Sequence, residues 1–385
     1  MDIVAQETVK RLQYLDQKNT YFLFCFDDQD GYSIEDSANF RVIKIPRLPS
    51  PLIEQCLLPF LALKYRLDLL HSTGNTSPLF LHCKRLVTLH DIIYLEKRDD
   101  LRGGTVYQRL GKIYRRFIVP KIIRKAEGLI TVSQNEQRII LDRLPELAGR
   151  LTVIPNAVST QFMQKPLETT LGVSLRYKLP NHPFIFFLGN TDPKKNTKNV
   201  LKAYHTYVTK YGPHLKLVIA DLSRSVVERL IEKHDLEIIR DHVYITNYVK
   251  HEDMPDIYNR AQLFLYPSLR ESFGLPILEA MACGTPVITS GNYAMPETAG
   301  NAAMFISPDA PASIAEAIHL ISTNSDLREQ FIAAGKQRIQ EFSWNQSVNN
   351  LIKIYQAVHQ GASVKAALPP PVTGLNKKGQ PVYTS

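Results

Sequence analysis

"RESFGLPILEAMACGTPVITS", Arg270–Ser290, puts one carboxylate, Glu271, ahead of a Phe-Gly-Leu-Pro turn and a second, Glu279, inside the segment that follows. Pro276 at a first helical position and Gly284 just past the end predict a compact helix over residues 276–283. The apolar runs on either side, "QLFLYPS" and "TPVITS", read as strands. Strand, turn, helix, strand is the repeating unit of a parallel α/β sheet. The start of such a helix offers unpaired N–H groups and the positive end of its dipole, so the amides of Phe273, Gly274 and Leu275 are placed to receive an anion. Glycine at 274 lets the backbone come close. Glu279, read as lying in the first turn, would repel a phosphate but accept bonds from two neighbouring hydroxyls, as on a ribose. Glu271 is read as the end of the preceding strand, facing the same cleft.

The same rhythm extends in both directions. "YFLFCF", "FRVIKI", "LDLLHS", "RLVTLHD" and "GLITVS" alternate with amphipathic segments before a Pro-rich, poorly periodic stretch over residues 155–183. "FIFFLGN", "LKLVIAD" and "HVYITNY" resume it afterwards. A chain of 385 residues exceeds the size at which one core stops growing. Two α/β domains joined by a linker are therefore expected, with the helix "WNQSVNNLIKIYQAVHQ" near the end and an unstructured tail from Gly361.

Composition narrows the class. The chain is 44% hydrophobic and 22% charged, as in a globular protein. Its net charge of +9 is spread over both halves, which gives nucleic acid binding no support. Cys25, Cys56, Cys83 and Cys283 form no C-x-x-C pair, so neither a zinc site nor a disulfide framework is suggested, and a reducing compartment fits. The most apolar stretch, from Pro51, carries Glu54, Lys64, Arg66 and Asp68 and reads as a partly buried helix rather than a membrane span. No leader for secretion opens the chain, and a cytoplasmic protein is expected.

Opposite the first site, "LGNTDPKKNTKNVLKAY" reads as a strand ending at Asn190 and a helix starting near Asn196, with Lys194 and Lys195 at its mouth. Two ammonium groups beside a helix start would seat a diphosphate and stabilise charge developing on it as it leaves. Asp192-Pro193 also explains the turn by itself, as a solvated loop.

With "TLHD" and "IPNAV", these stretches resemble the family-four retaining glycosyltransferases of GT-B fold: two Rossmann-like domains facing an interdomain cleft. The resemblance implies an N-terminal acceptor domain over residues 1–157 and a nucleotide-sugar domain over 158–341. A C-terminal helix over 342–360 would pack back towards the first domain, leaving a disordered tail over 361–385. It implies transfer of a sugar, with mannose from GDP-mannose preferred, from a nucleoside-diphosphate donor to an acceptor hydroxyl on a glycan or lipid-linked acceptor. His90 and Glu271 would be catalytic. Asn190, Lys194, Lys195, Phe273, Gly274, Leu275 and Glu279 would bind the donor, Glu279 through the ribose. Asn190 stands where the family often has a basic residue, so one diphosphate contact is weakened, and Lys194 is expected to compensate. No cofactor and no metal are implied. Two carboxylates also suggest a glycosidase pair, but a Glu279 occupied by ribose leaves no pair astride the anomeric carbon.

Other features pull elsewhere. Asp28-Gln29-Asp30 has the spacing of a metal-holding pair but sits among turn formers and reads as a turn. From Arg109 to Glu127 the chain carries seven basic residues and one acidic, with Leu110, Ile113, Tyr114, Phe117 and Ile118 at helical spacing. That pattern fits either a peripheral contact with the inner membrane face or a core-facing helix with a solvated basic face. The chain opens on a helix, "MDIVAQETVKRLQYLDQKN", where the family has a strand and a Gly-rich loop, so the first strand of the N-terminal domain is read as missing. A non-catalytic or degenerate sugar-nucleotide-binding protein is the second reading, and an epimerase or phosphorylase on the same fold a third.

Overall fold

The computed structural model describes residues 3–26, 37–92 and 106–368. The chain divides into two compact units: the described residues up to Asn156 together with those from Ser343 onward, and Ala157–Phe342. Asp28 and Asp30 lie outside the described residues.

Among the described residues the first unit holds six parallel strands in two sheets. β1 (Tyr21–Phe26) pairs with β2 (Phe40–Ile45), while β3 (Leu69–Ser72), β4 (Lys84–Thr88), β5 (Gly128–Thr131) and β6 (Leu151–Val153) form the second sheet in that order. The helix Ile3–Leu15 feeds β1, and its Val9 and Leu12 pack with Phe40 of β2 and Val348 of the C-terminal helix Trp344–Gln360. That C-terminal helix starts under a side-chain cap, Ser343 accepting from the Gln346 amide. Its Tyr355 lies beside Tyr21 of β1 and His71 of β3. The tail expected from Gly361 is held at its start, because Val364 is fully buried against Leu86, Ile130 and Val358. An apolar side chain of that size gains about 1.5–3 kcal/mol on burial.

The second unit is one six-stranded parallel sheet in the order β12-β11-β10-β7-β8-β9. Its strands are β7 (Phe184–Leu188), β8 (Lys216–Ala220), β9 (Val243–Asn247), β10 (Leu263–Tyr266), β11 (Val287–Ser290) and β12 (Ala303–Ile306). Helices on both faces exclude water, so "FIFF" of β7 and all of β10 are buried, as continuous apolar runs require. Counted from β9, the order is 3-2-1-4-5-6 of a doubly wound fold, and the direction of winding reverses between β7 and β10. Ligands in open α/β sheets bind outside the carboxyl ends of strands at that reversal. The Pro-rich stretch after Pro155 is not a bare linker: it forms a 3-10 turn at Leu167–Thr170 and the helix Leu171–Arg176, with Val173 and Ser174 buried.

The stretch from Pro51 is helical, passing through Ser50–Leu52, a wide turn at Ile53–Leu57 and Leu58–Lys64. Among the described residues no helix is long and apolar enough to cross a membrane.

Candidate functional site

The loops after β7 and β10 meet at the winding reversal. β7 ends at Leu188, two residues before the expected Asn190. Asp192 caps a single 3-10 turn, Pro193–Lys195, by accepting from the Lys194 amide, and Asn196 follows in the left-handed region at φ 63°. The Asn196 side chain donates to the carbonyls of Pro267 at 3.0 Å and Pro308 at 2.7 Å. The Leu269 amide donates to the Lys194 carbonyl at 2.7 Å. The bonds with Pro267 and Leu269 tie the first loop to the second, and the one with Pro308 ties it to the segment after β12, which fixes where Lys195 points.

Lys195 Nζ lies 2.6 Å from Glu271 Oε1 and donates to the Tyr266 hydroxyl at 3.1 Å. It also stands 5.0 Å from the centroid of the Tyr266 ring. The two charged side chains are 20% and 14% exposed, so this ion pair is shielded well beyond an ordinary surface pair. Burial and the neighbouring Glu271 carboxylate push the Tyr266 phenol far above its usual range, so it stays a hydroxyl. Lys194 takes another direction: its Nζ is 3.8 Å from Asp192 Oδ2 and its side chain is 40% exposed.

Three details of the opening stretch differ from the sequence reading. Glu271 does not end a strand, since β10 stops at Tyr266 and Glu271 sits in the following loop. The helix runs Leu275–Ala282, starting one residue early because Gly274 adopts φ 92° as its cap. Glu279 therefore falls in the second turn rather than the first. There it is 6% exposed, with the Tyr258 hydroxyl 3.4 Å from Oε2. Burial pushes its carboxyl up to about 8 against the opposing pull of that hydroxyl. No side chain caps the helix start at Gly274, while Phe273 is buried edge-on against Phe342 and its carbonyl accepts from Thr298 Oγ1.

Lys195, Tyr266, Glu271 and the start of Leu275–Ala282 thus form one polar cluster at the carboxyl edge of the sheet. Asn190 lies on its rim, exposed, with its Oδ1 accepting from the Asp192 amide and its carbonyl from Thr197 Oγ1. Asp221, at the end of β8, accepts from the Val249 amide at 3.2 Å; burial raises its carboxyl, and Lys195 pulls it back down. Sequence reasoning missed Tyr266, Tyr258 and Asn196. A tyrosine closing an otherwise wholly apolar strand, and an asparagine directly before a helix, were the available signals.

His90 belongs to the first unit, two residues past β4. Its amide donates to Asn75 Oδ1, and Nε2 lies 2.9 Å from the Thr73 carbonyl. A carbonyl only accepts, so Nε2 carries the proton. His71 sits close by, with Nδ1 and Nε2 each 2.9 Å from the hydroxyls of Tyr355 and Thr88. Burial, with a smaller push from His90, lowers the His71 imidazole to about 4. His71 is therefore neutral at pH 7. His71, Thr73, Thr88, His90 and Trp344 line one pocket of this unit.

Two family profiles divide the chain: "Glycosyltransferase Family 4" matches residues 3–162 and "Glycosyl transferases group 1" matches 177–338. The O-antigen chain mannosyltransferase B of Escherichia coli is 29% identical over 234 residues, 60% of this chain and 61% of that protein. A serotype-specific mannosyltransferase, WbdA of Escherichia coli, is 25% identical over 289 residues, 72% of this chain. The chain spans only 34% of that second protein's length. Among solved structures, the sucrose-phosphate synthase of Thermosynechococcus elongatus superposes with a TM-score of 0.66 at 21% identity, covering 89% of each chain. The fold is GT-B, and the chain belongs to the family-four glycosyltransferases.

Proposed function

We propose that this chain is a retaining glycosyltransferase that moves a sugar from a nucleoside-diphosphate donor to the hydroxyl of a glycan or lipid-linked acceptor. The observation that carries the reading is Lys195, bonded to Tyr266 on a loop that Asn196 pins at the winding reversal, with the uncapped start of Leu275–Ala282 following the next loop. In the absence of donor, Glu271 neutralises this ammonium. A diphosphate seated on the Gly274 and Leu275 amides takes over Lys195 as partner, which frees Glu271 for the donor sugar. Asn190 and Lys194 at the rim add contacts to the outer phosphate, and Phe273 shapes the floor. As the glycosidic bond breaks, charge collects on the departing diphosphate, where an ammonium and a helix start stabilise it without a divalent ion.

Glu279 takes the ribose in this reading. A carboxyl held near 8 is protonated in the empty site at neutral pH, and two ribose hydroxyls donating to it favour its ionised form. Donor binding then releases a proton. His90, with its proton committed to Thr73, has Nδ1 left as an acceptor for a sugar hydroxyl. The acceptor hydroxyl attacks on the face the diphosphate leaves and gives its proton to the departing phosphate oxygen, so the product keeps the donor's anomeric configuration. Mannose as the transferred sugar is supported by the names of the two mannosyltransferase relatives, and GDP-mannose is the donor we propose.

A second reading, a donor-binding protein without turnover, is favoured by one feature: among the described residues the parallel strands of the first unit form two separate sheets, whereas the second unit has one. Incubating the chain with radiolabelled GDP-mannose and a lipid-linked glycan extract decides between them. Label transferred to acceptor, undiminished by a chelator, supports the enzyme. Tight GDP binding with no transfer supports the second reading, and no GDP binding contradicts both.

A further inference from the structure

The stretch from Leu167 to Arg176, a 3-10 turn running into a short helix, is an outer layer of the second unit and packs on the helix Met254–Arg260. It is clamped there at both ends. Arg260 Nη1 donates to Thr170 Oγ1 at 3.0 Å, and Arg176 Nη1 donates to both carboxylate oxygens of Asp253, at 2.8 and 2.7 Å. Thr170, Val173 and Ser174 are buried beneath, so the inner face of the segment is satisfied.

The outer face is apolar all the same. Leu167, Leu171 and Leu175 recur at every fourth position and are 54%, 52% and 78% exposed. A surface segment that has buried one face gains nothing in water from a second row of leucines, and such a row marks a surface that a partner covers. Gly172 lies in the middle of it. A Cβ at that position would meet no atom within 4 Å, and its φ is not in the left-handed region. Neither packing within the chain nor backbone conformation calls for glycine there, and glycine weakens a helix relative to alanine. What bare backbone among exposed leucines allows is the close approach of another helix.

The charges select the partner. Glu168 and Arg176 stand four residues before and four residues after Gly172. Glu168 is exposed and has no ion-pair partner among the described residues. The Arg176 side chain is 57% exposed, and both of its bonds to Asp253 use Nη1, which leaves Nη2 and Nε for an incoming carboxylate. A two-fold axis at Gly172 runs two such segments antiparallel and brings Glu168 of each level with Arg176 of the other. Acid and base at equal distances from the glycine make the face complementary to itself.

We propose that Leu167, Leu171 and Leu175, closing around Gly172, join two copies of this chain across a two-fold axis. A face one ridge wide is at the small end of specific interfaces, so the dimer is weak, with a dissociation constant on the order of tens of micromolar. This inference concerns the second unit and does not rest on the sugar-transfer reading.

Sedimentation velocity of the full chain from about 1 to about 200 μM tests it. A shift from monomer to dimer across that range is expected. Leu171→Gln, which counts twice in a symmetric dimer, should weaken association about a hundredfold. Gly172→Gln introduces a better helix former with room for its Cβ, so it should keep or raise the thermal midpoint while weakening association about tenfold or more. Glu168→Lys sets like charges beside Arg176 of the second copy and should weaken it about tenfold. Thermal midpoints of all three variants report that they fold. A parent that stays monomeric throughout overturns the proposal, as does a dimer that Leu171→Gln leaves intact. Association of Glu168→Lys equal to the parent's overturns it as well, since the face is then not complementary to itself.

Discussion

Two strands of nearly the same composition behave differently. "FIFFL" of β7 is hydrogen-bonded by β8 and β10, and four of its five residues are buried. "YFLFCF" of β1 pairs with β2 alone, and all six of its residues are only half-buried. Local pattern is the same in both cases, so the difference comes from neighbours. The second unit seals both faces of its sheet, with Ile185 and Phe187 among Ile314 and Ile321 on one and Phe186 against Tyr258 and Phe264 on the other. The first unit splits its apolar residues into separate small clusters on either side of its two sheets. A second unit sealed around one sheet, proposed to hold the donor, and a first unit with half-buried strands is the contrast to test.

Truncation measures it most strongly. Phe186→Ala should cost about 3–5 kcal/mol in denaturant unfolding, and Phe24→Ala in β1 less than half of that, because little of the Phe24 environment is sealed. Equal losses would erase the distinction between the units.

Glu279 sharpens it further. Its folded carboxyl titrates near 8 against an ordinary value of 4.5, so between these values the folded chain holds a proton that the unfolded chain has released. Stability should therefore fall as pH rises from about 5 to about 8, by up to about 4 kcal/mol. Glu279→Gln, neutral throughout, should remove that slope when unfolding midpoints are followed across the range. An unchanged slope would place the titrating group elsewhere. At Gly274 the effect is smaller: Ala in a φ 92° backbone, with its Cβ 3.2 Å from Ile277 Cδ1, should cost about 1–2 kcal/mol in the same assay.

Much of the fold was legible because parallel strands are short apolar runs set between amphipathic segments, and ten of the twelve strands among the described residues stand out in this way. The two that do not are the short β6, Leu151–Val153, whose run merges into "IPNAV", and β12, an edge strand whose Met304 and Phe305 are half-exposed. Lys195 and Glu271 could be picked out as a charge facing a carboxylate across a helix start, but their direct pairing depends on Asn196 reaching Pro267 and Pro308, far away in sequence. Glu279 was misplaced by one helical position because Pro276 marks a helix start that Gly274 sets earlier. Tyr266 was invisible as a site residue since its ring completes a strand while its hydroxyl serves the loop.

The central claim is that a nucleoside diphosphate rests on Lys195 at the start of Leu275–Ala282. Calorimetric titration of GDP and UDP into the parent chain, Lys195→Ala and His90→Ala tests it most directly. The account predicts binding of one nucleotide that is weakened at least about tenfold by Lys195→Ala and left unchanged by His90→Ala. Undiminished affinity in Lys195→Ala would contradict it.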